Sequence, residues 1–156
     1  MRVSLAKPLW TLIACLLLLT AAEARDIAVV VNKSNATKTM TMAELVKLAK
    51  GSTKKWADAK DVTLVMRDPS APEMKTVLQK VFAMTPEEVK TLVSTLNGAR
   101  KDSVVIAASD DVLVKTVQIT PGAVGFVDVY SINSGVNVMK VDGKSPLEPG
   151  YALHGQ

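Results

Sequence analysis

Residues 62–82, VTLVMRDPSAPEMKTVLQKVF, join two hydrophobic grammars in one short span. Residues 62–67 are an apolar, β-branched run that closes on Arg67, the pattern of a buried strand. Beyond the turn residues Asp68 and Pro69 the spacing changes, and Met74, Val77, Leu78 and Val81 fall on one face of a helix. Ser70 is expected to cap that helix, with Pro72 in its first turn and Glu73 completing a capping box. A buried strand that turns directly into an amphipathic helix is the building unit of an α/β fold.

The same unit recurs on both sides. Residues 26–32 (DIAVVVN) read as a strand. Thr41 is placed to cap a helix whose apolar face is Met42, Leu45, Leu48 and Ala49, with Gly51 at its end. A polar connection then carries Trp56, read as a packing anchor. Thr85, Pro86 and Glu88 open a further helix that presents Val89, Leu92, Val93 and Leu96 and stops at Gly98. Residues 102–109 form a strand, and Ser109 is placed to cap the helix after it. Pro121 and Gly122 break that helix, residues 123–129 form a strand in which Gly125 allows close backbone approach, and residues 135–141 form another. This alternation predicts a mainly parallel sheet flanked by helices.

Length and composition narrow the function. A chain of 156 residues, 48% hydrophobic, suits one domain with a single core. Residues 1–24 have the form of a signal peptide: Arg2 and Lys7, an apolar run, then Ala22-Glu23-Ala24 as a cleavage site. The domain is therefore expected over 25–156, in the periplasm. Leu12 to Cys15 has the look of a lipoprotein box, but the apolar run continues past Cys15, which argues against a lipid anchor. From residue 26 onward, 19 basic residues less Arg2, Lys7 and Arg25 leave 16, and 15 acidic less Glu23 leave 14; the net charge falls from +4 to +2. The remaining lysines are scattered, so a nucleic-acid partner is not expected.

The only cysteine, Cys15, falls in the expected leader and the only histidine, His154, in the closing Pro/Gly-containing segment, so a thiol nucleophile and a histidine triad are not expected, and a multi-histidine metal site is excluded by count. No cofactor, metal or enzymatic activity is expected. Trp56, Phe82, Phe126, Tyr130 and Tyr151 are too dispersed for a stacking platform.

Taken in order, residues 29–35 (VVVNKSN), Gly51 to Trp56, the strand ending in Arg67, the turn Pro121 to Phe126 and the closing residues 138–153 resemble the periplasmic phosphate-binding proteins of ABC transporters, and short secreted members above all. The resemblance implies one lobe of a type II solute-binding protein. It also implies phosphate or a similar oxyanion as ligand, and an ABC transporter permease or another envelope protein as partner. A homodimer could rebuild the cleft that two-lobed relatives close. By the same resemblance Arg67 matches the family's anion-binding arginine and Ser70 its serine. Asp68 is out of register, Ala71 and Pro72 replace a glycine and a threonine, and the serine-rich loop of the other lobe has no counterpart. The family also places the Thr120-Pro121-Gly122 turn near the cleft.

Candidate ligand-binding residues are thus Arg67, Ser70, Asp68 and Ser109. Each has a structural alternative. Arg67 could pair with Asp68 or a neighbouring carboxylate, while Ser70 and Ser109 could serve only as caps, with Glu73, Asp110 and Asp111 repelling anions there. Asn32, Ser34 and Asn35 read as loop residues. The rival to a receptor is an interaction module that has lost its ligand and docks on a membrane sensor, porin or transporter.

Overall fold

A computed structural model describes residues 25–155; the expected signal peptide over 1–24, with Cys15, lies outside the described residues. The chain runs β1 (Ile27–Asn32), β2 (Thr39–Met40), α1 (Met42–Ala49), β3 (Thr63–Arg67), α2 (Lys75–Val77), α3 (Pro86–Ala99), β4 (Val104–Ala107), α4 (Asp110–Ile119), β5 (Ala123–Asp128) and β6 (Val136–Val141). The strands form one sheet in the order β2-β6-β1-β5-β3-β4. β1 pairs antiparallel with both β5 and β6, whereas the pairs β2–β6, β3–β5 and β3–β4 are parallel. Five strands therefore share one direction and β1 alone opposes them. The two-residue β2 carries too little pattern to be read from sequence.

β1 is buried along its whole length because helices cover both faces of the sheet. Val29 and Val31 point into a core shared with α1, α3 and Val77 to Phe82. Ala28 and Val30 point to the other face, where α4 supplies Leu113, Val114 and Val117. Gly125 makes that second contact fit, since a Cβ there would lie 2.8 Å from Leu113 Cδ2 and 3.2 Å from the Val65 carbonyl. The predicted close approach is that of α4 on β5.

Three helix starts match the sequence reading, and two of them form full capping boxes. Thr41 and Thr85 each accept a backbone N–H at 3.2 Å, from Glu44 and Glu88, and each glutamate reaches back to complete a capping box. The Thr41 backbone and side-chain bonds hold the Glu44 carboxyl below the usual range. α3 passes through Gly98 and ends at Ala99, one residue beyond the predicted stop.

The helix after β3 departs from expectation. Ser70 does not cap it: the first turn, Pro72–Met74, is 3₁₀ and its cap position is Ala71, with no side-chain acceptor. Asp68 takes over the turn, its Oδ1 accepting the Ser70 N–H at 2.7 Å and its carbonyl the Ala71 N–H at 2.9 Å. This Asx turn brings the chain round before Ser70 can reach a helical amide, and Glu73 has no cap to reciprocate. α2 then widens into a π-helical stretch, Leu78–Phe82, which buries Leu78, Val81 and Phe82 and ends at Ala83 with φ 50°.

The carboxyl-terminal segment straps the start of β1. Leu153 O accepts the Ile27 N–H at 3.0 Å, and Tyr151 Oη donates to Ile27 O at 2.8 Å. Buried Asp26 accepts the Leu147 N–H at 2.6 Å and meets His154 Nδ1 at 2.5 Å.

Candidate functional site at the carboxyl edge of the sheet

The carboxyl ends of β3, β4 and β5 come together on one edge, where open α/β sheets place ligand sites. Arg67 closes β3 opposite Ala107 of β4, and that register sets it beside the first residue of α4. Its Nη1 donates to Asp110 Oδ1 at 2.9 Å, with both side chains about one-fifth exposed. Ser131 Oγ donates to the other oxygen of Asp110 at 3.1 Å. The carboxylate is thus held from two sides and covers one edge of the guanidinium. Among the described residues Arg67 Nε and Nη2 have no hydrogen-bond partner, so the second edge keeps donors in the geometry an oxyanion accepts.

The other candidates divide. Ser109 does cap α4, its Oγ accepting the Val112 N–H at 3.2 Å. Its hydroxyl sits next in sequence to the Arg67 partner. Ser70 is exposed, and only its backbone N–H is engaged. Asp68 is fixed as the turn acceptor. Farther along the same edge Arg25 Nη1 donates to Asp128 Oδ2 at 3.2 Å, and its guanidinium lies 5.5 Å from the centre of the exposed Tyr130 ring.

Sequence reasoning did not single out Asp110 as the partner of Arg67, nor Ser131 as its support. The two members of the ion pair stand 43 residues apart in the chain. The available signal was strand adjacency: successive parallel strands bring their carboxyl ends together, so the start of the helix after β4 is the natural neighbour of the last residue of β3.

Three other residues lie elsewhere. Trp56 is a buried anchor at the amino end of β5, with Nε1 donating to Gly122 O at 2.8 Å. Gly122 has φ 81° and a Cβ would fall 2.1 Å from Asp61 O, so backbone geometry alone demands glycine. That turn occupies the opposite end of the strands from Arg67, which corrects its expected place near the cleft. Asn32 is buried, and its Nδ2 donates to Val117 O at 2.9 Å and Gln118 O at 3.0 Å, closing the last turn of α4. Among the described residues no cluster of three His, Cys, Asp or Glu could hold a metal, and no helix is long and apolar enough to cross a membrane.

No protein-family model matches the chain, and no curated protein matches it by sequence. Solved structures do share its fold. An ABC-type phosphate transport receptor from Vibrio cholerae superposes with a TM-score of 0.63 at 17% identity, over 78% of this chain and 48% of the receptor. PstS from Borrelia burgdorferi gives 0.65 at 13% identity, over 85% and 55%. A phosphate binding protein from Stenotrophomonas maltophilia gives 0.61 at 19%, over 79% and 40%. The chain spans about half the length of these proteins, and its architecture is that of one lobe of a periplasmic binding protein.

Proposed function

We propose that this chain, built as one lobe of the fold that phosphate receptors use, is a secreted, non-catalytic binding protein for phosphate or a similar oxyanion. It works with an ABC uptake system in the periplasm, after cleavage of residues 1–24. The observation that carries the reading is Arg67, which ends a strand at the ligand edge with one side of its guanidinium unengaged. Ser109, and to a lesser degree Ser70, serve as hydroxyl donors, and Asp68 shapes the turn that presents Ser70. The fold likeness to phosphate receptors favours this reading over an interaction module without a ligand.

Asp110 sets the terms. An incoming anion shares Arg67 with a carboxylate already in place, so it must use the second edge or displace Asp110 from the first. Calorimetric titration of the processed chain with phosphate and with sulfate tests the proposal. Saturable binding lost on Arg67→Ala supports it, and heat-silent titrations up to tens of millimolar remove it.

A further inference from the structure

A second recess lies at the opposite end of the sheet from Arg67. There the amino ends of β3 and β4 stop below the last turns of α1 and α3, leaving a cleft of about 500 Å3. Small-molecule sites commonly enclose ~300–1,000 Å3. The floor is apolar and deep: Leu48, Val62, Leu64 and Val104 are each 5% exposed or less, and Leu96 forms a wall. Gly51 keeps that wall in place, because a Cβ there would fall 2.3 Å from Leu96 Cδ2.

The mouth of the cleft is cationic. Lys54, Lys55 and Arg100 line it together with Asp61. Lys55 Nζ donates to Asp61 Oδ1 at 2.8 Å and holds that carboxyl below its usual range, so this pair is internally neutral. Arg100 donates Nη2 to Val62 O, and neither it nor Lys54 forms an ion pair among the described residues. Two helix carboxyl ends face the same space, each equivalent to roughly half a negative charge. Two full cations outweigh them. An apolar floor under a net positive mouth is complementary to a molecule with a greasy body and an anionic head.

We infer that this cleft binds an amphiphilic carboxylate, its acyl chain over Leu48, Leu64 and Leu96 and its head between Lys54 and Arg100. The site is independent of the oxyanion reading at Arg67. A bare inorganic anion would leave the apolar floor uncovered and engage only the cationic mouth.

Calorimetry on the processed chain provides the test, with decanoate, decylammonium and inorganic phosphate as probes. Decanoate is expected to saturate one site while decylammonium does not bind. Ala99→Trp, at an exposed position on the rim, should abolish decanoate binding, and Lys54→Glu should weaken it by about tenfold. Arg67→Ala should leave it unchanged. Thermal melts establish that each variant folds, and cosedimentation with phosphatidylglycerol vesicles separates a free amphiphile from a lipid surface. Decanoate affinity unaltered by Ala99→Trp in a folded variant, equal binding of decylammonium, or pelleting with vesicles without binding of monomeric decanoate would each overturn the inference.

Discussion

At the scale of single residues, Arg67 and Asp110 decide how strongly the carboxyl edge attracts an anion. A partly buried ion pair is stabilised by mutual attraction, and any ligand oxyanion repels Asp110 while it is drawn to Arg67. Replacing Asp110 by Asn removes the repulsion and loosens the hold on Nη1. Phosphate affinity of Asp110→Asn should rise by about tenfold, whereas Arg67→Ala should lower it by at least about tenfold. Titration calorimetry on the two variants reads both changes, and a fall in affinity for Asp110→Asn would show that the carboxylate positions the arginine more than it opposes the ligand. Tyr151 carries a separate effect. Burial, assisted by the nearby Asp26 carboxylate, pushes its phenol above the usual tyrosine value of 10.0. The folded state therefore keeps the proton that the unfolded chain releases as pH climbs past about 10, and stability is lost from there upward. Tyr151→Phe is expected to be less stable than the parent at neutral pH, for want of the bond to Ile27 O, and to lose less stability between pH 9 and pH 11 in urea titrations.

At the scale of elements, two sequence motifs that look alike behave differently. Thr85-Pro86-Glu87-Glu88 and Ser70-Ala71-Pro72-Glu73 share the hydroxyl-to-glutamate spacing of a capping box, each with a proline between, and only the first forms one. Thr85→Ala should cost about 1 kcal/mol. Ser70→Ala should stay within about 0.5 kcal/mol, because its hydroxyl caps nothing. Equal losses in chemical denaturation would contradict the geometry. The difference comes from what precedes each motif: Asp68 closes its own turn on Ser70, while Thr85 follows the left-handed Ala83 and enters its helix without competition. The same local dominance explains why α1, α3 and α4 were legible from their caps and stripes. The 3₁₀ and π character of the segment from Pro72 to Phe82 was hidden, since it reflects how those apolar residues fit the core beneath α1 and α3.

At the scale of the molecule, the carboxyl edge of the sheet, which carries the proposed site, has no second lobe over it among the described residues. The fold-sharing proteins are about twice as long, and this chain presents a partly buried Arg67 at the carboxyl edge of its sheet. A small-molecule site normally buries most of its ligand, and an anion on a rim keeps its far side in water. Phosphate binding by the monomer should therefore be weak, with Kd near ~1 mM, or about −4 kcal/mol. A phosphorus NMR titration measures it. Sub-micromolar affinity in dilute protein would refute the open-edge description, and affinity that strengthens with protein concentration would reveal a second chain closing over the site.

The sequence by itself determined the strand–helix alternation, the helix caps at Thr41, Thr85 and Ser109, the break at Pro121-Gly122, and the exclusion of a multi-histidine metal site. These follow from periodicity, short-range hydrogen bonds, local backbone geometry and simple counts. Only the tertiary structure decided that β1 opposes its five companions, that Asp110 holds Arg67 with Ser131 behind it, and that an apolar, cation-rimmed cleft opens at the far end of the sheet. Each of these depends on strand order and register, which bring residues tens of positions apart into contact. No local pattern encodes that adjacency, because it is the burial of both sheet faces that selects it.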